Sequence, residues 1–181
     1  MGRMDGGRPH VHIVVESRHG ATREISGVLA QRLVTHGASV TVAAPDDCAE
    51  IAADAVVVGS GVYYGKWLKS ARRFVESHAE QLSSRPVWLF SSGPLGDDHV
   101  PDLDEVDAGI EPDVVAHLTE LTNARAHHVF AGRLDRGELG PLEKLVATSV
   151  HAPEGDFRDW PEVEQWADEI AAVVCPPKRA E

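Results

Sequence analysis

The sequence predicts an α/β fold, a parallel β-sheet with helices on both of its faces. Two observations support this prediction. Five short apolar runs have the length and the β-branched content of strands covered on both sides. Most of these runs are separated by segments in which apolar residues recur at helical spacing. Strands that alternate with helices form parallel sheets, and the crossover connections are right-handed.

The predicted strands occupy residues 10–15, 38–44, 54–60, 85–93 and 126–132. Five strands in a chain of 181 residues favour the spatial order 2-1-3-4-5 over a six-stranded dinucleotide-binding sheet. In such sheets, ligands bind beyond the carboxyl ends of the strands, beside the first strand. The loops that follow strands one, three and four are therefore the candidate site.

The predicted helices follow from apolar residues spaced three and four positions apart. The first helical pattern starts at Thr22 and stops at Gly37, a residue that can adopt a left-handed cap. The apolar stripes consist of Ile25, Val28, Leu29 and Leu33; Trp67, Leu68, Ala71, Phe74 and Val75; Val114, Val115, Leu118 and Leu121; Leu139, Leu142, Leu145 and Val146; and Val163, Trp166, Ala167 and Ile170.

Length and composition predict one domain over residues 9–175, with flexible tails at 1–8 and 176–181. The net charge of −12 argues against nucleic-acid binding, because phosphate backbones require Lys and Arg surfaces. No apolar stretch reaches the roughly 20 residues of a membrane span, and no secretory signal is present. Cys48 and Cys175 lie far apart and the histidines lack metal-ligand spacing, so we expect a cytoplasmic protein without a metal site.

The first loop, residues 17–22, leads from a predicted strand directly into a helix. The first turn of a helix has unpaired N–H groups and a partial positive charge, which together favour an anion. Ser17 and Thr22 supply hydroxyl donors, Gly20 permits a close backbone approach, and Arg18 adds a charge-assisted contact. A phosphate site fits this composition. The alternative is that Thr22 simply caps the helix. Neither GxxxxGK[ST] nor GxGxxG is present, which disfavours ATP and NAD.

The second loop, residues 59–67, combines three glycines with adjacent tyrosines. Tyr63 and Tyr64 offer ring faces on which a flat ligand can stack. The alternative is a glycine-rich turn whose tyrosines pack on the next helix. The third loop, residues 91–98, begins with Ser-Ser-Gly, whose N–H and hydroxyl groups can bond a ring carbonyl or nitrogen. It too can be read as an ordinary turn, since Gly-Pro is a strong turn signal.

The chain from about His10 to Val174 resembles the flavodoxin-domain family. Within it, the chain is most similar to the group of flavodoxin-type protoporphyrinogen IX dehydrogenases and their bacterial relatives. The segments that carry the resemblance are SRHGATREI (17–25), VVVGSGVYYGKW (56–67), ARRFVESH (71–78), WLFSSGPLG (88–96), GRLDR (132–136) and EGDFRDWPEVEQWADEIA (154–171). The last segment is specific to this group, whereas simple flavodoxins lack it.

The resemblance implies a flavodoxin-like three-layer sandwich that holds FMN non-covalently. Residues implied around the phosphate are Ser17, Arg18, His19, Gly20, Ala21 and Thr22. Residues implied to flank the isoalloxazine ring are Ser60, Gly61, Val62, Tyr63, Tyr64, Gly65, Ser91, Ser92, Gly93, Pro94, Leu95 and Gly96. The sequence departs from most relatives at Ala21 and at Glu16, whose carboxylate we expect to point away from the phosphate or to pair with Arg18 or Arg23.

Three functions remain open at this stage, and no catalytic residue is assigned. The first is an FMN-dependent oxidoreductase of the protoporphyrinogen dehydrogenase type, with a quinone or a small molecule as partner. The second is an electron carrier that docks on a basic redox protein. The third is a cofactor-free interaction scaffold. Arg133 and Arg136 could bind an acidic substrate, but pairing with Asp135 and Glu138 is favoured. The amphipathic stretch 139–150 is compatible with a homodimer, although packing on the sheet is commoner.

Overall fold

Parallel strands form the centre of the molecule. The computed structural model describes residues 7–63, 65–93, 112–141, 144, 147–148 and 154–176. Within these ranges, five strands pair in parallel: β1 (His10–Glu16), β2 (Ser39–Ala43), β3 (Ala55–Tyr63), β5 (Val87–Gly93) and β6 (Ala126–Ala131). Their spatial order is β2-β1-β3-β5-β6. The predicted order 2-1-3-4-5 is therefore confirmed for the five main strands.

Short strands extend this core. β4 (Lys66–Trp67) pairs antiparallel with the end of β3, and β7 (Arg133–Leu134) pairs antiparallel with β8 (Gly155–Asp156). The helices are α1 (Ala21–Thr35), α2 (Lys69–Ser77), α3 (Ala79–Ser83), α4 (Pro112–Thr122) and α5 (Trp160–Val174), and a 3₁₀ turn spans Pro45–Asp47. None of the helices in the described ranges is both long and apolar enough to traverse a bilayer.

Helices cover both faces of the sheet, as predicted. Ile13 of β1 belongs to a buried cluster with α1 and α5, whereas Val14 belongs to a second cluster with α2, α3 and α4. This alternation follows from the strand geometry, because successive side chains point to opposite faces. The apolar runs are needed because a strand buried on both sides has no solvated face.

Close packing between β3 and β5 requires a glycine. A Cβ on Gly59 would lie 2.1 Å from the Phe90 ring, closer than any real contact. The ring of Phe90 meets Phe130 and Trp166 edge-on, with centroids 5.8 and 6.0 Å away. Any larger side chain at position 59 would force this aromatic cluster to move.

Most predicted helices agree with the structure, with two differences. α1 ends before Gly37, which has φ +97°, as predicted. Trp67, predicted to start the second helical stripe, instead belongs to β4, and α2 begins two residues later. Leu139 lies in a bend, and the remaining residues of that stripe (Leu142, Leu145 and Val146) lie outside the described residues.

Candidate functional site

The loop between β1 and α1 forms an open helix start. Gly20 is the N-cap residue with φ +87°, and no described side chain caps the helix. The hydroxyl of Ser17 accepts a hydrogen bond from the Gly20 N–H at 3.0 Å, which shapes the turn. The first helical hydrogen bond runs from the Glu24 N–H to the Gly20 carbonyl. The N–H groups of the first turn therefore have no carbonyl partner within the helix.

Thr22 is the second residue of α1 and is only 3% exposed. The interpretation of Thr22 as the helix cap is therefore wrong, because the cap position belongs to Gly20. A positive φ is accessible to glycine without strain, so the helix begins two residues earlier than it would with Thr22 as its cap. Arg18, His19, Gly20, Ala21 and Thr22 all lie in this loop or in the first turn that follows it.

Glu16, the last residue of β1, directs its carboxylate towards α2. Its Oε2 accepts a hydrogen bond from the Ser70 hydroxyl at 2.5 Å, and its Oε1 accepts one from the Ser17 N–H at 3.1 Å. The carboxylate is therefore held at the edge of the loop by two donors.

The segment predicted as a flexible loop after strand three is a β-hairpin. β3 continues to Tyr63 and turns back into β4, with Gly65 at φ +74° in the turn. Ser60 anchors the hairpin, because its buried hydroxyl donates to the Gly61 carbonyl at 2.9 Å and accepts from the Leu68 N–H at 3.0 Å. The sequence reading missed the hairpin because β4 has only two residues.

The hairpin packs directly against the start of α1. A Cβ on Gly61 would lie 2.9 Å from the Tyr63 ring and 3.2 Å from Thr22 Oγ1. The Arg18 guanidinium carbon is 4.8 Å from the centroid of the Tyr63 ring, and the His19 ring centroid is 5.8 Å from it. The structure thus brings the first and second predicted loops together around one aromatic ring. Val62 packs half-buried on the α2 side of the sheet, and Tyr64 lies outside the described residues.

The third predicted loop begins inside β5. Ser91, Ser92 and Gly93 are the last residues of that strand, and Pro94, Leu95 and Gly96 lie outside the described residues. The Ser91 side chain is fully buried and belongs to a hydrogen-bonded chain, with Trp67 Nε1 at 2.7 Å and His127 Nε2 at 2.8 Å. Because an indole N–H only donates, Ser91 accepts from Trp67, and the tautomer of His127 sets the direction of the bond between Ser91 and His127.

This chain of hydrogen bonds joins β4, β5 and β6 beneath the candidate site. The Ser91 hydroxyl is used within the fold, so we expect it to make no contact with a ligand. Trp67 and His127 were missed as site-supporting residues. The one available signal was the prediction that His127 and His128 point to opposite faces of the sheet. The prediction is confirmed, because His127 bonds Ser91 on one face and His128 Nε2 bonds Glu162 of α5 at 3.0 Å on the other.

A depression of about 470 Å³ lies beside the β1–α1 loop. It is lined by Glu16, Arg18, Asp46, Leu68, Lys69, Ser70 and Arg73. No carboxylate in the described part of the chain pairs with Lys69, Arg72 or Arg73, all of which belong to α2. Among the described residues that line the depression, three cations (Arg18, Lys69 and Arg73) stand beside two carboxylates (Glu16 and Asp46).

The residues present fit a phosphorylated flat ligand. The uncapped start of α1 supplies N–H donors, with the Ser17 and Thr22 side chains beside it, and these groups suit a phosphate. The hairpin supplies an aromatic face and a glycine backbone next to this corner. No group of metal-ligating side chains occurs within the described residues.

Comparisons with known proteins agree with this geometry. The chain is 34% identical over 82 residues to "Protoporphyrinogen IX dehydrogenase [quinone]" of Escherichia coli strain K12, and the match covers 44% of this chain and 45% of that protein. The chain thus spans less than half of the length of the curated relatives it matches.

Solved structures show the same fold. The rubredoxin oxygen:oxidoreductase of Desulfovibrio gigas superposes with a TM-score of 0.63 at 16% identity, over 96% of this chain and 38% of that chain. A flavodoxin from the domain Archaea superposes with a TM-score of 0.57 at 16% identity, over 91% and 98% of the two chains. Oxidised flavodoxin 1 from Bacillus cereus gives 0.57 at 13% identity, over 88% and 95%.

The family model described as "Flavodoxin domain" matches residues 12–159, which is most of the chain and includes the β1–α1 loop, the hairpin and the end of β5. Together with the sheet order and the open helix start, this match establishes that the chain belongs to the flavodoxin-domain family.

Proposed function

We propose that this protein binds FMN at the carboxyl edge of its sheet and acts as an FMN-dependent oxidoreductase. The observation that carries the proposal is the open start of α1, where Gly20 caps the helix with backbone alone. A helix that begins without a side-chain cap leaves its first N–H groups available to a phosphate. Membership of the flavodoxin-domain family supports the same ligand.

In this proposal, residues 17–22 surround the phosphate through backbone N–H groups and the hydroxyls of Ser17 and Thr22. Residues 60–65 and 91–96 flank the ring, with Tyr63 as the aromatic face and Gly61 as the point of closest backbone approach. FMN, when bound, supplies the electron-transfer chemistry, and the protein orients the cofactor and limits access to it. The Trp67–Ser91–His127 chain holds the two ring-flanking segments in register.

A titration with FMN and with riboflavin tests the cofactor proposal. Riboflavin has the same ring but no phosphate, so it serves as the matched control. We expect FMN to bind at least about 100-fold more tightly, because charge-assisted hydrogen bonds contribute roughly 1.5–3 kcal/mol each. Quenching of flavin fluorescence measures both affinities. Equal affinities, or no binding of FMN, would contradict the proposal.

For the reaction itself, we propose oxidation of a protoporphyrinogen-type substrate with a quinone acceptor. The support is the partial match to the E. coli dehydrogenase, whose name states that activity. Turnover of protoporphyrinogen IX with a soluble quinone, followed by porphyrin fluorescence, tests this proposal against free FMN at equal concentration. A rate equal to that of free FMN would exclude this substrate and leave the cofactor proposal intact.

A second candidate function is electron transfer to a protein partner, and a specific observation favours it. Lys69 and Arg73 of α2 line the depression beside the proposed cofactor site together with Arg18, and these three cations outnumber the two carboxylates among the described lining residues, Glu16 and Asp46. This local charge selects an acidic partner surface, whereas the net charge alone suggested a basic one.

Charge reversal separates these possibilities. With basic cytochrome c as the acceptor, we expect Lys69→Glu/Arg73→Glu to accelerate reduction at low ionic strength, because repulsion at this edge becomes attraction. Lys144→Glu is the control, since Lys144 is an exposed cation elsewhere on the chain. Equal effects of the reversals at the two places would exclude α2 as the docking surface.

A further inference from the structure

The C-terminal segment reaches the start of α1 through one arginine. Arg158 Nη1 donates a hydrogen bond to Glu24 Oε2 at 2.7 Å, although the two residues are 134 positions apart in the sequence. The Arg158 side chain is only 4% exposed. Glu24 is in the first turn of α1, next to the N–H groups that the proposed function assigns to a phosphate.

Arg158 is held rigidly in this position. Its Nε and Nη2 donate to the two carboxylate oxygens of Asp156 at 2.7 and 2.6 Å, and its guanidinium carbon lies 4.5 Å from the centroid of the Trp160 ring. The hydrogen bonds from Arg158 hold the pKa of the Asp156 carboxyl below its ordinary value. Asp156 lies opposite Arg133 in the antiparallel pair of β7 and β8. This strand pairing fixes the backbone of Asp156, and through it the position of the Arg158 guanidinium.

Glu24 places a negative charge where an anion would bind. A carboxylate in the first turn stabilises the helix dipole, but it also opposes the binding of a phosphate at the same end. Arg158 contacts one oxygen of this carboxylate, and Arg133 Nη1 lies 3.9 Å from the other. The second arginine is shared, because its Nη2 donates to both oxygens of Glu138 at 3.0 Å. Arg158 is shared as well, because it donates to both oxygens of Asp156, but its contact with Glu24 is the shorter of the two.

We propose that Arg158 is a positioning residue for the anion corner: it neutralises Glu24 and ties β8 to the first turn of α1. The inference rests on the proposed function, because it assigns the corner to the FMN phosphate. It gives the C-terminal segment 155–159 a role in cofactor binding, although that segment contributes no group to the ligand itself.

Four variants test the proposal: Arg158→Gln, Glu24→Gln, the double variant, and Arg32→Gln as the matched control. Arg32 also donates to both oxygens of an aspartate, Asp168, but at the other end of α1. We expect Arg158→Gln to raise the Kd for FMN about fivefold and to leave the Kd for riboflavin unchanged. Arg32→Gln should leave both values unchanged, because it lies more than a Debye length from the helix start.

The double variant separates charge compensation from a merely structural role. Removing Glu24 removes the need for Arg158, so Glu24→Gln/Arg158→Gln should return the Kd for FMN to within about twofold of the wild type. A double variant that binds FMN as weakly as Arg158→Gln, or an Arg158→Gln variant whose affinity for FMN is unchanged, would overturn the proposal. Loss of FMN and riboflavin binding alike in Arg158→Gln would also overturn it.

Amide hydrogen exchange in the ligand-free protein tests the contact between Arg158 and the first turn of α1 without FMN. If the wild type binds no FMN, the proposed function fails, but the link to α1 is still measurable. Arg158→Gln should then accelerate exchange of the amides of residues 24–27 at least about fivefold relative to Arg32→Gln. Equal exchange in the two variants would overturn the inference as well.

Discussion

The two helices on one face of the sheet, α1 and α5, have the same length of 15 residues and pack against each other, but they begin differently. α5 has Asp159 at its N-cap, whose carboxylate accepts from the Glu162 N–H, and Pro161 follows in the first turn. α1 has Gly20 at its N-cap and no described capping side chain. The helix without a polar cap is the one that starts beside the candidate site.

The two helix starts differ in what satisfies their free N–H groups. A capping side chain satisfies the free N–H groups from within and contributes about 1 kcal/mol to stability. α5 is stabilised in this way by its cap. α1 lacks this stabilising cap, and its first turn keeps free N–H donors to which a ligand could bind. The same local motif, a helix start, thus carries a stabilising cap in one place and leaves its donors free of a side-chain cap in the other.

The largest effect is expected where the open start meets the ligand. Ser17→Ala/Thr22→Val removes two hydroxyls and keeps the size of Thr22. We expect the Kd for FMN to rise about 100-fold, since each bond to a charged group contributes roughly 1.5–3 kcal/mol. A fluorescence titration measures the change. An affinity within threefold of the wild type would show that these hydroxyls do not bind the phosphate.

The two positive-φ glycines of α1 provide the next test. Gly20 has φ +87° and Gly37 has φ +97°, and neither would meet an atom within 4 Å on gaining a Cβ. Alanine should therefore cost a similar 1–2 kcal/mol of unfolding free energy at either position, through backbone strain alone. Only Gly20→Ala should also weaken FMN binding. Denaturant unfolding and flavin titration of both variants check this expectation. Equal affinities of the two variants for FMN would contradict it.

A smaller effect is expected from uncapping α5. Asp159→Ala removes the acceptor for the Glu162 N–H, and we expect a loss of about 1 kcal/mol in unfolding free energy. The Kd for FMN should stay unchanged, because this cap does not contact the ligand corner. Thermal unfolding with and without FMN measures both quantities. A change in affinity equal to that of Gly20→Ala would remove the distinction between the two helix starts.

The smallest effect concerns the far end of the same helix pair. Arg32 first, and then His36, hold the pKa of the Asp168 carboxyl well below its ordinary value of 3.8. A depressed folded-state pKa contributes stability that is present above 3.8 and is lost as the pH falls further. We therefore expect wild type and Asp168→Asn to differ in melting temperature at pH 7, and the difference to narrow steadily as the pH falls below about 4. A constant difference across this range would contradict the assignment.

Local pattern determined most of the architecture. The β-branched runs gave the five parallel strands, and the spacing of Ile25, Leu29 and Leu33 gave the buried face of α1. The composition of residues 17–22 predicts an anion site at the start of α1, because glycine and hydroxyl residues are informative without any partner, and the open helix start agrees with this prediction. Sheet order followed because parallel strands with crossovers allow few arrangements.

Contacts between distant residues could not be predicted in this way. Trp67, Ser91 and His127 each had an ordinary local explanation, and only the pairing of β3, β5 and β6 makes them one hydrogen-bonded chain. The turn of β3 into a two-residue β4 was also invisible, because so short a strand has no periodicity to read.

Local patterns in the sequence indicate which segments are strands and helices and which loop is rich in phosphate-type donors. The folded arrangement is needed to see that Gly20 rather than Thr22 caps α1, and that Arg158 reaches Glu24. The physical reason is range. Periodicity and turn chemistry act over a few residues, whereas ion pairs and buried hydrogen bonds depend on where the folded chain brings side chains together.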